Sequence, residues 1–208
     1  MRRFAVLTVC LAAMLVIAAE DKRKTTCINL QPYTNQKLKE GGNGANSLAD
    51  LEQGEQKLGG VKFKIGEGLI QLSSTISPDM PKKVENIEVA ATFSKLHILH
   101  ATHSSAEQDA IIAYYTVTYD DNSTQTIPIV YGKDVLDWWH QEDEKGPSRA
   151  KVAWKGSNDE AKKNDRKIRL YLTTWKNPEP TRKVVSLEFG STNYTAAAPF
   201  CVAITAEE

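Results

Sequence analysis

KIRLYLTTW, residues 167–175, alternates apolar side chains with polar or aromatic ones at a period of two residues. In an extended chain, Ile168, Leu170 and Leu172 would lie on one face and the residues between them on the other. The stretch VVSLEFG, residues 184–190, repeats this pattern. Alternation of this kind is typical of strands buried on one face, so both stretches predict half-buried β-strands.

Short β-rich runs separated by turn residues fill most of the chain after residue 60. No segment beyond residue 19 sustains a helical period, and turn signals recur about every ten residues, as in β-sandwiches and barrels. The sequence therefore predicts an all-β protein, an antiparallel sandwich or a barrel. The predicted strands are 61–65, 69–73, 87–91, 95–102, 111–119, 124–130, 135–139, 149–154, 167–175, 182–190 and 200–205.

The N-terminus has the layout of a secretory signal peptide. Arg2 and Arg3 precede an uncharged, almost wholly apolar run of 16 residues, 4–19, which ends in Ala18 and Ala19. The alternative is a membrane anchor, but a spanning helix needs roughly 20 apolar residues. We therefore predict removal of residues 1–19, export to the periplasm, the cell envelope or the medium, and no membrane span afterwards.

After the signal peptide we expect two regions. Residues 20–56 form a polar lead that contains the first strand, a glycine-rich turn at 41–44 and a short helical turn at 46–56, with Leu48 and Leu51 on one side. Residues 57–208 form the β-sandwich domain. The expectation for a chain of this size is one domain.

Cys27 and Cys201 are the two cysteines that remain after signal removal, and they lie near opposite ends of the exported chain. In an oxidising compartment an even pair favours a disulfide. A Cys27–Cys201 bond would require the first and last strands to be neighbours. Two separate thiols are the alternative.

Charge and motifs exclude several classes of function. Residues 20–208 contain 24 basic and 26 acidic residues, a net charge of −2, and no basic stripe, which argues against a nucleic-acid partner. The motifs of serine hydrolases, nucleotide-binding loops and zinc proteases are absent. The sequence therefore favours a non-catalytic protein, with a small glycan hydrolase that uses two carboxylates as the alternative.

Two clusters resemble metal sites but do not satisfy the geometry. His97 and His100 would point to opposite faces of a strand, and His97 and His103 would lie about 20 Å apart. The residues Asp120, Asp121 and Asn122 offer oxygen ligands, but the EF-hand pattern fails around them. We predict no metal site and no cofactor, with a structural calcium ion at 120–122 as the alternative to a plain turn.

Tryptophans at the ends of predicted strands suggest a binding surface. If successive strands run antiparallel from residue 111 onward, the 120–123 hairpin and the loops after Trp139 and Trp175 share one pole of the sandwich. Aromatic faces beside amide and carboxylate groups suit a sugar, although tryptophans at strand ends also serve as core plugs. The predicted ligand-binding residues are Asp121, Asp137, Trp139, His140, Trp175 and Asn177.

Several short motifs resemble a known family. Residues 95–101, 114–121, 127–129, 132–134, 137–139, 153–154, 174–180, 185–188 and 203–205 are similar to secreted bacterial modules of the galactose-binding-like, NPCBM-related β-sandwich type. The resemblance covers residues 58–205. It implies a jelly-roll sandwich with adjacent terminal strands, and carbohydrate bound at one loop-bearing end.

Together these features predict a non-catalytic, extracytoplasmic carbohydrate-binding module for glycan or cell-envelope polysaccharide. The alternative is an interaction or structural domain of the cell envelope with a protein partner.

Overall fold

A computed structural model describes residues 24–40 and 46–208. The predicted signal peptide and the glycine-rich turn at 41–44 lie outside these residues. Within them the chain forms fourteen strands, one 3-10 helix, Gln31–Tyr33, and one short helix, α1, Asp159–Lys163. The strands are β1 Thr25–Cys27, β2 Gln36–Lys37, β3 Gly54–Leu58, β4 Val61–Ile65, β5 Gly68–Gln71, β6 Lys83–Ala91, β7 Lys95–His103, β8 Ile111–Tyr119, β9 Thr124–Val130, β10 Trp139–His140, β11 Lys151–Gly156, β12 Lys167–Lys176, β13 Val184–Ser191 and β14 Ala198–Glu207.

The strands form two main antiparallel sheets and a hairpin. The larger sheet has the order β10-β12-β7-β14-β5-β2, and β1 and β11 pair with β14 and β12. The smaller sheet has the order β6-β13-β8-β9, and β3 pairs with β4. This arrangement confirms the predicted all-β antiparallel sandwich.

The core lies between the two sheets and contains packed aromatic rings. Tyr115 on β8 stacks on Phe189 of β13, with 4.5 Å between ring centroids. Across the sandwich, the Tyr115 ring also lies near the His100 ring of β7, with 6.2 Å between ring centroids. All three side chains are almost completely buried. Ring pairs of this kind add about 0.5–1.5 kcal/mol each to the hydrophobic gain.

Both faces of β12 are buried, which the alternation pattern does not predict. Ile168, Leu170 and Leu172 enter the core as expected, but Arg169 and Tyr171 on the opposite face are also buried. Arg169 donates to the backbone carbonyls of Glu144 and Lys145 and to the Glu144 carboxylate at 2.6 Å. The loop after β10 therefore covers this face, because a buried guanidinium needs acceptors on every side.

Two predicted elements differ from the structure. The segment 135–139 is mostly irregular and ends in the two-residue strand β10, where a five-residue strand was predicted. The predicted helical turn at 46–56 is wrong: turns are followed there by strand β3. Leu48 and Leu51 are nevertheless buried in the same core as the sandwich, so the described part of the lead packs onto the domain.

The predicted disulfide is not formed, because both cysteines are free thiols. The first and last strands do pair, as the bond required, but the register places Cys27 opposite Thr205. Cys201 lies four residues further along β14, about 13 Å away at strand rise. A disulfide needs Cα atoms within about 7 Å.

None of the helices in the described ranges has the length and apolar character needed to cross a bilayer.

Candidate ligand-binding cleft

The predicted binding residues lie at opposite ends of strand β12. Trp139 on β10 is opposite Ile168, near the start of β12, whereas Trp175 is opposite Leu96, seven residues further along the same strand. Seven residues of strand span about 23 Å. The prediction that Trp139 and Trp175 form one surface is therefore wrong, and each end of β12 has its own chemistry.

The Asn177 end of β12 is a closed hydrogen-bond network. Asn177 is buried, donates to the carbonyl oxygen of Phe93 at 2.9 Å, and accepts from Tyr119 at 2.5 Å and from the backbone N–H of Glu179 at 3.0 Å. Trp175 is half-buried against the core. The polar groups of Asn177 are thus used to join neighbouring segments of the fold.

Asp121, also assigned to the predicted site, is used in the hairpin after β8. Its Oδ1 accepts from the backbone N–H of Ser123 at 3.0 Å, and its Oδ2 pairs with Arg182. Arg182 in turn lies over the ring of Tyr119 at 5.1 Å. Both carboxylate oxygens therefore have protein partners that join the hairpin to β13.

The Trp138 end of β12 is built by the segment Asp137–Trp138–Trp139–His140. The backbone N–H of Trp138 donates to Thr102 at 3.0 Å, and its carbonyl accepts from Arg169 at 2.9 Å. These two bonds hold the segment between β7 and β12. The Trp138 ring then packs edge-on against His103 at 4.7 Å and against Phe200 at 5.7 Å.

These three rings form one wall of a cleft of about 300 Å³, which we call the aromatic cleft. Its size is at the lower end of the range for small-ligand sites. Larger depressions exist, such as one of about 570 Å³ beside the β3–β4 hairpin, but no aromatic ring lines that one. The aromatic cleft is lined by Gln36, Lys37, Leu38, Asn46, Ser47, Leu48, Leu69, Gln71, Ser77, Met80, His103, Trp138 and Phe200.

Polar groups at the cleft wall lack partners. Ser47 is 3% exposed, and its hydroxyl has no hydrogen-bond partner among the residues that the structure describes. The side-chain amide of Gln71 likewise has no hydrogen bond to any residue that the structure describes, although its backbone N–H and carbonyl pair with Asn35. A buried unpaired hydroxyl costs about 1–3 kcal/mol, so it is a place where a ligand hydroxyl would be favoured.

Asn46 at the cleft wall is oriented by two donors. Its Oδ1 accepts from Trp139 Nε1 at 3.1 Å and from Asn158 Nδ2 at 3.2 Å. Asn158 is itself fixed, because its Oδ1 accepts from Ala161 at the start of α1. With Oδ1 occupied, the Nδ2 group of Asn46 remains as a donor, for which the described residues supply no acceptor. Trp139 therefore does not line the cleft itself, but its indole N–H orients Asn46, which does.

The aromatic cleft carries little charge. Burial lowers the pKa of His103 to about 4, so its imidazole is neutral at pH 7 and has one donor and one acceptor nitrogen. Lys37 is the one cation among the lining residues, and it pairs with Glu40 at 2.6 Å. An uncharged ligand with hydroxyl groups fits this lining better than an anion.

Asp137 and His140 flank the tryptophans but support the segment instead of lining the cleft. Burial raises the pKa of Asp137 to about 6, and its Oδ1 accepts from the backbone N–H of Trp139 at 3.1 Å. The Nδ1–H of His140 donates to the carbonyl of Gln141 at 2.6 Å, and burial lowers the pKa of His140. Both residues therefore fix the backbone on either side of Trp139.

His97 and His100, the other two histidines on β7, have structural roles. His97 contacts Thr174 and Glu207, and His100 contacts Thr173 at 2.9 Å. In residues 24–40 and 46–208, no three His, Cys, Asp or Glu side chains are grouped in a way that would hold a metal ion.

Sequence reasoning missed most of the cleft. His103, Phe200, Gln71 and Ser47 come from four segments far apart in the chain, and no local motif links them. The sequence signal available for the cleft was the pair of tryptophans at 138–139. Of the two, Trp138 lines the cleft, because alternation along the segment directs its side chain inward.

Comparison of the chain with protein-family models, with curated proteins and with solved structures gives no match. The resemblance to galactose-binding-like modules therefore stays a prediction.

Proposed function

We propose that this chain is a non-catalytic, extracytoplasmic carbohydrate-binding module that holds an uncharged glycan in the aromatic cleft. The observation that supports the proposal most strongly is the pairing of a ring wall with unpaired hydrogen-bonding groups. Trp138 and His103 supply the wall, and Ser47, Gln71 and Asn46 supply the polar groups.

A sugar ring has the matching chemistry. Its C–H faces are apolar and pack against aromatic rings, and its hydroxyl groups both donate and accept hydrogen bonds. Asn46 Nδ2 would donate to a sugar oxygen, and the Ser47 hydroxyl and the Gln71 amide can each donate or accept. The neutral His103 adds one donor and one acceptor without a charge that would need desolvation.

The expected affinity is modest. Each hydrogen bond contributes about 0.5–1.5 kcal/mol net, and a ring contact a similar amount. Four or five such contacts at about 1 kcal/mol each correspond to a dissociation constant between about 1 mM and 0.2 mM. Modest affinity of this kind suits retention on a polymer that presents many copies of the ligand.

Affinity electrophoresis of the full chain through gels that contain cellulose derivatives, xylan, galactan or soluble chitin tests the proposal. We expect retardation by at least one of these polysaccharides and its loss in the double variant Gln71→Ala, Ser47→Ala. The matched control is Gln125→Ala, Ser148→Ala, which removes the same two side-chain types from exposed positions outside the cleft. Unchanged mobility of the native protein in every gel would contradict the proposal.

A further inference from the structure

We propose that the exposed ring of Tyr194 extends the aromatic cleft, so that the ligand is a glycan chain of several sugar units and not a single terminal sugar. This inference rests on the proposed function.

The starting observation is a group of exposed apolar side chains at one end of the sandwich. Among the described residues, the large hydrophobic side chains that stand out into solvent are Ile76, Ile111 and Tyr194, which are 60%, 52% and 88% exposed. Their loops are joined by hydrogen bonds: Thr75 donates to the carbonyl of Thr195 at 3.0 Å, and the Thr192 hydroxyl donates to Ile111 at 2.9 Å. Ile76 and Tyr194 therefore belong to adjoining loops, and Ile111 begins the strand beside them.

This group lies close to the cleft along the chain. Ile76 lies in the tight turn 74–77, in which Ser77 donates back to the carbonyl of Ser74 at 3.2 Å. Ser77 itself lines the aromatic cleft, as does Met80. The path from Tyr194 to Ser77 crosses the hydrogen bond between Thr195 and Thr75. At 3.8 Å for each of its three Cα steps and about 5 Å across the hydrogen-bonded pair, Tyr194 lies within about 17 Å of Ser77.

The loop that presents Tyr194 is held in place. The Ser191 hydroxyl donates to the carbonyl of Ser73 at 2.7 Å and accepts from the backbone N–H of Asn193 at 3.0 Å. Asn193 has a φ of 56°, a left-handed conformation that asparagine tolerates in turns. Its Oδ1 is buried and has no partner among the described residues, so the residue next to the exposed ring holds an unsatisfied acceptor. A stacking ring next to an acceptor repeats the chemistry of the cleft.

The composition of the two loops favours an uncharged sugar chain as the occupant. The segments STIS, 74–77, and STNYTA, 191–196, contain no charged residue and six hydroxyl side chains besides that of Tyr194. A stable protein interface needs about 20–30 residues from each partner, far more than this group supplies. A sugar chain needs one ring and a few polar groups per unit.

Calorimetric titration with oligosaccharides of two and six units, from glucose, xylose, galactose and N-acetylglucosamine, tests the inference. We expect the six-unit form of the recognised sugar to bind about tenfold more tightly than the two-unit form, the gain that one added ring contact supplies. The variant Tyr194→Ala should lose this gain and keep the affinity for the two-unit form. The variant Tyr194→Phe retains the ring and should keep the gain.

The outcomes separate this inference from the proposed function. If the two-unit form binds, requires Gln71 and Ser47, and gains nothing with length, the inference is overturned and the proposed function stands. If no oligosaccharide of either length binds the native chain, both are overturned. A length gain that persists in Tyr194→Ala, or a change of oligomeric state in that variant on a sizing column, would assign the patch another role and overturn the inference.

Discussion

The two ends of strand β12 contain the same residue types and use them differently. At the Asn177 end, every polar group of the asparagine side chain has a protein partner, and the network is closed. At the Trp138 end, an asparagine, a glutamine and a serine lie beside aromatic rings, and part of their hydrogen-bonding capacity is open. A tryptophan at a strand end therefore does not identify a binding surface by itself. The difference lies in whether the polar groups around it are already satisfied.

Asn177→Ala gives the largest expected effect on stability at the closed end. It leaves Tyr119, the carbonyl of Phe93 and the N–H of Glu179 without their partner. We expect the free energy of unfolding, measured by urea denaturation, to fall by about 3 kcal/mol. Polysaccharide retention under native conditions should not change.

The control for this variant is Asn164→Ala, which changes an exposed asparagine after α1 whose amide donates to the carbonyl of Glu160. We expect it to cost less than about 1 kcal/mol. Equal losses of unfolding free energy in the two variants would show that the hydrogen bonds of Asn177 stabilise the fold no more than those of an exposed asparagine.

At the Trp138 end, the stability difference between Asp137→Asn and the native chain should depend on pH. Because burial raises the pKa of Asp137 from 3.8 to about 6, the folded state binds more protons than the unfolded state between these values. This carboxylate therefore costs stability that increases as the pH rises through that window. We expect Asp137→Asn to be about 3 kcal/mol more stable than the native chain above pH 6.5.

Below pH 3.5 the same variant should match the native chain, since the carboxyl group is then protonated in both states. Urea denaturation at a series of pH values measures the difference. If the difference in unfolding free energy between the variant and the native chain stayed constant from pH 3.5 to 7.5, the burial of the Asp137 carboxylate would not be its cause.

Trp139→Phe and Trp175→Phe are a matched pair across the two ends. Trp139 Nε1 donates to Asn46, whereas Trp175 Nε1 has no hydrogen bond within the described chain. We expect Trp139→Phe to lower the free energy of unfolding by about 1 kcal/mol and to weaken glycan binding several-fold. Trp175→Phe should leave binding unchanged, and a stronger effect of Trp175→Phe on binding would reverse the assignment of the cleft.

Ser47→Ala has the smallest expected effect on stability. Its hydroxyl is buried without a partner among the described residues, so its removal should not lower the free energy of unfolding and should raise it by up to about 1 kcal/mol, the low end of the cost of an unpaired hydroxyl. Glycan binding should weaken by about fivefold, as expected for one lost hydrogen bond. Weakened folding with intact binding would show that the hydroxyl serves the structure.

Several strands were predicted to within one residue because their signals are local. β4, β8 and β9 have the predicted bounds, and β12 extends one residue beyond them, since alternation and flanking turns are read from neighbouring residues. The predictions of the binding site and of the disulfide depended on which distant segments of the chain pair with each other. The bond between Trp138 and Thr102 and the register of Cys27 opposite Thr205 are set by segments distant in the chain, which periodicity does not encode.

The prediction that loops of successive antiparallel strands share a pole fails at one identifiable place. It assumed full strands at 135–139 and 149–154 that each reverse the chain. The structure has a short β10 that pairs with the start of β12, and β11 pairs along the same strand. Trp139 and Trp175 therefore lie at opposite ends of β12, although their loops were expected to share a pole.

The most direct test of the account is fluorine NMR of the chain labelled with 5-fluorotryptophan. The four tryptophans give four resonances, which single Trp→Phe variants assign. On titration with the recognised oligosaccharide, we predict shifts at Trp138 and Trp139 and none at Trp175. Shifts at Trp175 with Trp138 and Trp139 unchanged would place the ligand at the Asn177 end and contradict the account.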